Sequence, residues 1–304
     1  MKERLKDAWG LISATYVEYT SDNAARLAAA IAFYAVFSIA PLLIIITAIA
    51  GFFVGEKVAM AEASGYLQQF AGPEMREFVL ELVDRWQDPA SGVVATVVGL
   101  GTLLWGSYKL FMALQDTLNM IWGVRPRSDL KFLAKVRMRL LPFVMVLLIG
   151  LLLLASMLAE AVLRVITQIF GELFPVPGML VTWANFLISF GLLTVLFAAV
   201  FKILPDARIQ WRDVWVGAAL TAFLFALGKS LIGLYLGHTS TTSVFGAAGS
   251  LVALLFWVYF SAQIFFLGAE FTQVYARKIG EKIEPDEGAV KIGRRRPPES
   301  ATQS

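Results

Sequence analysis

Six long blocks of mostly apolar residues constrain this chain more than any other feature of its sequence. Each holds roughly 20 residues or more, the length that an α-helix needs to cross a bilayer core about 30 Å thick. The blocks are Ala24–Val54, Gly92–Leu114, Leu140–Ala159, Leu180–Leu204, Val214–Leu236 and Gly246–Val274. The composition is 58% hydrophobic and 16% charged, whereas soluble proteins are about 25% charged. We predict an all-α polytopic membrane protein with six transmembrane helices in one domain over residues 24–278.

The distribution of Lys and Arg between these blocks predicts the orientation of the chain. Basic residues are frequent at the N-terminus, in the loops around residues 125–139 and 202–212, and in the C-terminal tail, and they are scarce in the three intervening loops. Cytoplasmic loops are enriched in Lys and Arg, so both termini are predicted to be cytoplasmic. The regular alternation favours an even number of spans, because a missed helix would place two loops of one kind in succession.

Two segments outside the blocks have the periodicity of amphipathic helices. Residues 1–20 are predicted to form a helix in the cytoplasmic interface, and a helix that packs on the bundle is the alternative. Residues 73–87, in the first outer loop, are predicted to lie flat on the outer surface. From residue 281 to residue 304 the chain is mostly polar, which predicts a disordered cytoplasmic tail.

Five ionisable residues lie within or at the edges of the apolar blocks: Arg26, Lys109, Asp116, Lys229 and Glu270. Such a side chain at membrane depth costs roughly 2.5–3.5 kcal/mol on insertion scales, which makes each a functional candidate. Glu270 is expected to pair with Arg26 or Lys109 near the inner leaflet, either as a structural staple or as part of a site. Lys229 falls in the outer half, where an outward-facing polar pocket and simple extension to the head groups are both open.

Two further patterns indicate contacts with lipid and between helices. Lys131, Lys135 and Arg139 follow one another at four-residue spacing before the third block, and they are candidates for binding lipid head groups or for plain positive-inside anchoring. Small residues recur at the same spacing in two blocks, as Ala24, Ala28 and Ala32 and as Ala218, Ala222 and Ala226, which indicates close helix packing. The Gly233/Gly237 pair would permit a homodimer.

The residues that common active sites require are absent from the sequence. There is no Cys and one His, and neither a phosphate-binding loop nor a nucleophile elbow occurs. We therefore expect no catalysis, no cofactor and no metal. Basic residues follow membrane topology and form no aromatic-rich patch, so nucleic-acid binding is not expected either.

Several short motifs resemble the YihY/BrkB family of membrane proteins over about residues 10–278. The first is the stretch from Ala28 to Leu43, which looks like the signature of that family's first span. Others are Leu118 to Trp122, Leu204-Pro205-Asp206, Gly217-Ala218, Tyr235-Leu236, Phe245 to Gly249, Trp257-Val258-Tyr259 and Gly268-Ala269-Glu270. The matching positions are Tyr34, Ser38, Pro41, Asn119, Trp122, Pro205, Gly217, Tyr235, Gly246, Trp257, Gly268 and Glu270.

The resemblance implies a bacterial inner-membrane protein with six spans, which agrees with the count reached from hydropathy. Members have carried the label ribonuclease BN, and others are linked to virulence, serum resistance or envelope lipid export. The cytoplasmic loops offer isolated acidic residues, whereas a nuclease normally needs clustered acids for divalent metal ions. We rank a transporter or flippase-like protein for an envelope lipid or other amphiphile first, a scaffold of an envelope complex second, and a ribonuclease third.

Overall fold

The computed structural model describes residues 2–36, 92–127, 178–238, 249–281 and 283–292, together with residues 55, 60–61, 64–65, 76 and 80. Several predictions lie outside these residues: the third block, Ser38, Pro41, Gly246, the basic trio Lys131, Lys135 and Arg139, and the tail beyond residue 292. Of the predicted outer-loop helix only Arg76 and Leu80 are described, and both are helical.

Six helices and four short strands make up the described parts of the chain. The helices are α1 (Lys2–Ser21), α2 (Ala24–Val36), α3 (Gly92–Trp122), α4 (Gly178–Ile203), α5 (Trp211–His238) and α6 (Gly249–Lys278). The strands are β1 (Val124–Pro126), β2 (Ala207–Arg208), β3 (Glu284–Pro285) and β4 (Ala289–Lys291). Helices α4, α5 and α6 agree with the last three predicted blocks.

Three of the described helices are long and apolar enough to cross a membrane, over Phe186–Ile203, Trp211–Leu231 and Val252–Lys278. The outward faces of α4 and α5 carry exposed large apolar side chains, including Leu187 at 62% and Leu231 at 66% exposure. Exposed apolar faces of this extent are typical of surfaces that meet lipid or another protein. The total of six spans and their orientation stay predictions.

Exposed tryptophans lie at or near the starts of α4 and α5. Trp183 lies near the start of α4, and Trp211 and Trp215 lie at the start of α5, which follows the end of α4. The 20 residues from Trp183 to Ile203 correspond to about 30 Å of helix, close to the thickness of a bilayer core. Tryptophan is enriched at both membrane interfaces, so this spacing supports a membrane-spanning α4.

Two residues with positive φ follow helices of the described chain. The end of the bundle where the strands lie is here named the ribbon end. Asn23 (φ 54) separates α1 from α2, and its carbonyl accepts bonds from the backbone of Arg26 and Leu27. Asn tolerates this conformation better than most residues because its short polar side chain can bond locally. Gly123 (φ 67) follows α3, where the absence of a Cβ suits a left-handed helix cap.

The closest approach between described helices is the crossing of α5 and α6. Two Gly-x-x-x-Thr pairs, Gly217/Thr221 and Gly268/Thr272, face each other reciprocally. A Cβ on Gly217 would lie 1.7 Å from Thr272 Oγ1, and a Cβ on Gly268 would lie 1.9 Å from Thr221 Oγ1. Each threonine hydroxyl donates to the carbonyl of the glycine four residues earlier at 2.7 Å. Both hydroxyls are thus satisfied within their own helix, and the glycines provide the space for them.

The main hydrophobic core lies toward the ribbon end and joins α2, α3, α4, α5 and α6. Ala24, Ala28, Ala218 and Ala222 are fully buried in it, which confirms that these alanines serve packing. Aromatic rings fill the space between α4 and α6, with Phe201 and Phe265 centroids 5.0 Å apart. Small residues and large rings therefore alternate where helices converge.

The segment after α6 folds back onto the bundle, and the prediction of a disordered tail from residue 281 is wrong for residues 283–292. Strand β4 pairs with β1 with Val124 opposite Lys291, and β3 pairs with β2 with Ala207 opposite Pro285. Within this polar segment Ala289 is buried and Ile283 packs on the core. A few apolar side chains and short ladders order a segment whose average composition predicts disorder.

The α5–α6 crossing gives a sharp test of the packing. Gly217→Ala is expected to destabilise the protein by about 1–3 kcal/mol, the usual effect of overpacking, because the new methyl group overlaps Thr272. Adding Thr272→Gly should restore most of the loss. Thermal unfolding of purified protein in detergent measures both. Gly191→Ala on α4, where a Cβ would meet no atom within 4 Å, is the control, and equal effects at the two glycines would contradict the crossing.

Candidate functional site

Three polar residues of α6 form a stripe along one face of a mostly apolar helix. Gln263, Glu270 and Arg277 recur at seven-residue spacing, which returns to the same helical face after two turns. Glu270 is fully buried, although it lies within the candidate span Val252–Lys278. A fully buried carboxylate is expensive unless its surroundings compensate for lost water, so this position is the central feature of the site.

Helix α1 packs along this stripe. Tyr19 Oη donates to Gln263 Oε1 at 2.9 Å, and the Glu18 carboxylate forms an ion pair with Arg277 at 2.7 Å. Burial, with a contribution from Tyr259, raises the pKa of Tyr19 to about 12, so the hydroxyl remains protonated and able to donate. Glu270 lies between these two contacts along α6. The four polar residues on α1 and α6 therefore surround its position along the helix.

The contacts also fix the direction of α1. Lys278 Nζ, at the end of α6, donates to the carbonyl of Gly10 at 2.8 Å, whereas Tyr19 lies farther along the bundle at the level of Gln263. The two helices are thus antiparallel. The prediction of a helix over residues 1–20 is confirmed, with one face on α6 and with Trp9, Ile12 and Tyr16 exposed on the other.

The α5–α6 crossing relates Lys229 to Glu270. Gly217 faces Thr272, and Gly228 faces Ile264. Residue numbers therefore rise along α5 as they fall along α6, and the two helices are antiparallel. In this register Lys229 and Glu270 lie about 10–15 Å apart along the helix axes, at 1.5 Å per residue. Lys229 is half-buried and occupies the part of the bundle remote from the ribbon end. The two charges therefore mark different levels of the same helix pair.

A second polar cluster joins the helices at the ribbon end. Asn119 Nδ2 donates to Asp206 Oδ2 at 2.7 Å, and Asn119 Oδ1 accepts from the backbone nitrogen of Asp206 at 2.7 Å. Gln115 donates more weakly to the other carboxylate oxygen at 3.4 Å. The carbonyl of Asp206 accepts from the backbone of Asp286 in the tail. This Asn119–Asp206 latch links α3, the α4–α5 loop and the tail.

Burial raises the pKa of Asp206 above its ordinary value of 3.8. Hydrogen bonds from Asn119 and Gln115 oppose this shift because they favour the charged carboxylate. The negative charges of Asp286 and Asp116 act with burial and raise the pKa further. The latch thus holds an acid whose charge the protein only partly compensates.

The other candidate residues lie on α2 and α3. Arg26 is exposed on α2 and Asp116 is exposed on α3. Lys109 Nζ lies 5.8 Å from the centroid of the Trp105 ring, a cation–π distance. Described ion pairs join Arg277 to Glu18 and Arg208 to Asp286 and Glu287. The pairing of Glu270 with Arg26 or Lys109 stays a prediction.

The described positions of the family motifs mostly serve packing. Trp122 and Pro205 are buried near the latch, Gly217 and Gly268 form the α5–α6 crossing, and Tyr235 lies in α5. Tyr34 packs edge-on against Phe33 at 5.8 Å, and Trp257 packs edge-on against Phe225 at 6.2 Å. Asn119, Asp206 and Glu270 are motif residues with a distinct polar role.

Sequence reasoning missed the partners of both clusters. Glu18, Tyr19, Gln263 and Arg277 were not candidates, and neither was Asp206, although it stands in the Leu204-Pro205-Asp206 motif. The seven-residue spacing of Gln263, Glu270 and Arg277 is a signal that the sequence does contain. In the part of the chain that the structure describes, no three His, Asp or Glu side chains come together as a metal site would require.

A mostly helical chain with three candidate spans, exposed apolar faces and exposed tryptophans near helix ends is a helical membrane protein. A family model described as virulence factor BrkB matches residues 15–292. The chain belongs to this family, and the resemblance to YihY/BrkB proteins is confirmed.

Curated relatives are named UPF0761 membrane proteins. One from Tolumonas auensis is 31% identical over 186 residues, which cover 58% of this chain and 56% of the relative. One from Azotobacter vinelandii is 26% identical over 89% of this chain and 64% of the relative. One from Pseudoalteromonas translucida is 27% identical over 80% and 78%. The chain spans less than two thirds of the first two relatives, and no solved structure matches it.

The latch predicts a graded response to substitution at Asn119. Asn119→Ala should destabilise the protein by about 1.5–3 kcal/mol, the usual effect of losing a hydrogen bond to a charged group. Asn119→Asp should destabilise it more, because a second carboxylate would face Asp206. Thermal unfolding in detergent measures both, with Met120→Ala at the exposed neighbouring position as the control. A stable Asn119→Asp variant would contradict the latch.

The raised pKa of Asp206 predicts a pH dependence of stability. The folded protein holds this proton more tightly than the unfolded chain, so the contribution of Asp206 to stability is greatest below about pH 3.8 and falls as the pH rises through the raised pKa. Asp206→Asn lacks this titration. The Tm of the wild type minus the Tm of Asp206→Asn should therefore fall as the pH rises, because only the wild type loses this contribution. Glu284→Gln is the surface control. A difference that grows with pH would show a depressed pKa instead.

Proposed function

We propose that this chain is a multi-pass protein of the bacterial inner membrane, with both termini in the cytoplasm, that translocates an envelope lipid or another amphiphile and is not an enzyme. The observation that carries the proposal is the complete burial of Glu270 within a candidate span, in line with Gln263 and Arg277. Ionisable residues inside spans commonly mark substrate or ion pathways.

The polar residues of the α5–α6 pair support a path rather than an isolated site. Glu270 lies toward the ribbon end, and Lys229 lies about 10–15 Å farther along the bundle axis. Gln263, two turns from Glu270 on the same face of α6, lies near the level of Lys229. A polar head group that crosses the membrane needs partners at successive depths, because each unsatisfied polar group is costly in hydrocarbon.

A scaffold of an envelope complex is the second candidate. It is favoured by the Asn119–Asp206 latch and the two ribbons, which tie three distant parts of the chain into one end of the bundle. A fixed end of this kind would also suit the docking of other proteins. A scaffold, unlike a transporter, does not need a carboxylate at Glu270.

Reconstitution into liposomes with labelled lipids tests the proposal. Wild-type protein should move label between leaflets faster than mock-reconstituted liposomes. Glu270→Gln should reduce the rate by about tenfold or more, which corresponds to about 1.4 kcal/mol, and Lys229→Ala and Lys109→Ala should reduce it at unchanged protein abundance. Glu284→Gln, an exposed acid outside the site, should retain the wild-type rate.

The opposite result identifies the scaffold. If no lipid moves above the mock control, or if Glu270→Gln and Lys229→Ala variants support the cellular function whenever they are made normally, the transporter proposal is wrong. Cellular function is then expected to depend on the ribbon end, and Asn119→Asp should be the more damaging change.

A further inference from the structure

The described hydrogen bonds and the ion pair between α1 and α6 are made by polar groups. A phenol hydroxyl of α1 donates to the amide oxygen of Gln263, a carboxylate meets the guanidinium of Arg277, and a backbone carbonyl accepts from Lys278. The buried side chains among those described in α1 are Thr15 and Glu18, and both are polar. Among the described side chains of α1, Leu11, Ala14 and Tyr19 are half-buried, so the fully buried positions of this helix are polar and the apolar ones are only partly covered.

Water or another polar ligand can replace the groups of α1 that bind α6. Arg277 is 45% exposed at its side chain, and an ion pair with one well-hydrated partner adds little net stability. The covered groups of α6 also remain hydrophilic when α1 leaves, so they can be taken up by water or by another polar ligand. Asn23, in a left-handed conformation between α1 and α2, lies at the joint about which such a movement would occur.

The opposite face of α1 is apolar and exposed. Trp9 is 71% exposed, Ile12 57% and Tyr16 65%, and these residues share one face at spacings of three and four. A helix with this face and an inward polar face suits the boundary between head groups and acyl chains. The strip of α6 beneath it is therefore next to lipid, which makes a lipid the ligand in reach.

We propose that α1 is a strap over a head-group site on α6 and that the ligand is an anionic lipid whose head group carries hydroxyls. The ligand must replace what α1 supplies: an anion for Arg277 and Lys278, and a hydroxyl donor for Gln263. A phosphate diester with free hydroxyls, as in phosphatidylglycerol, provides these groups. This inference rests on the proposed function and names its class of substrate.

The two partners of the Glu18–Arg277 pair should respond in opposite directions. Glu18→Gln weakens the strap and leaves the guanidinium free for the ligand, so the affinity for phosphatidylglycerol should rise by about two- to fivefold, the range of a half-exposed ion pair. Arg277→Gln removes the site of the anion, so the affinity should fall. Native mass spectrometry of purified protein in micelles that contain phosphatidylglycerol or phosphatidylcholine measures the binding.

A matched control uses the other described ion pair. Asp286→Asn breaks a contact with Arg208 at 2.9 Å, outside the stripe, and should leave phosphatidylglycerol binding unchanged. If Glu18→Gln and Arg277→Gln both lower the affinity, or if neither changes it, the pair is a structural staple and the strap is refuted. Free glycerol phosphate that competes as strongly as the lipid would refute the assignment to a lipid.

A tether tests the movement itself. The natural chain has no Cys, so a short bifunctional thiol reagent with a reducible link will join only the cysteines of a Tyr19→Cys/Tyr259→Cys variant. Tyr259 lies on α6, close enough to Tyr19 to affect its pKa, and is not one of the groups assigned to the ligand. Binding of phosphatidylglycerol should be lost in the tethered protein and return when the link is reduced, and the reduced variant serves as its own control. Binding that persists in the tethered state would overturn the strap.

These readouts do not depend on transport. A protein that binds phosphatidylglycerol as described but moves no lipid in liposomes supports the strap and contradicts the proposed function. A protein that moves lipid while the tether and the Glu18→Gln variant have no effect supports the proposed function and contradicts the strap.

Discussion

The close crossing of α5 and α6 is the constraint on which the rest of the arrangement depends. Gly217 and Gly268 each receive a threonine of the opposite helix, and no larger side chain fits at either place. This reciprocal contact fixes both the axial register and the rotation of α6. Because α6 cannot rotate, the side of α6 that carries Gln263, Glu270 and Arg277 must face away from the crossing and toward α1.

The ribbon end supplies a second, independent constraint. The amide of Asn119 satisfies both the carboxylate and the backbone nitrogen of Asp206, and the tail adds two short ladders to the same region. Ladders of two or three residues are marginal alone, so their stability depends on the packed helix ends beneath them. The bundle is thus held rigidly at one end, whereas α1 adheres through contacts that water can replace.

Hydropathy predicted the helices because burial in lipid and burial in protein impose the same apolar pattern over some 20 residues. It did not predict the tail ladders, because β4 pairs with β1 across more than 160 residues and no local periodicity records such a pairing. The Tyr19–Gln263 and Glu18–Arg277 contacts were missed for the same reason. Glu270 was found because its charge is anomalous within an apolar block, and that anomaly is local.

The polarity of the α1–α6 contact has a thermodynamic meaning. If α1 were a permanent part of the bundle, apolar side chains at positions 18, 270 and 277 would hold it at least as well, since well-packed hydrophobic residues often match or exceed buried ionic groups in stability. An apolar contact, however, could open only by exposing hydrocarbon to head groups and water. The polar contact makes the state with α1 packed on α6 less stable than an apolar contact would. It also lowers the free energy of the state in which α1 has moved away. Contacts through Glu18, Gln263 and Arg277 therefore lower the free energy needed to separate α1 from α6, compared with leucine at the same positions.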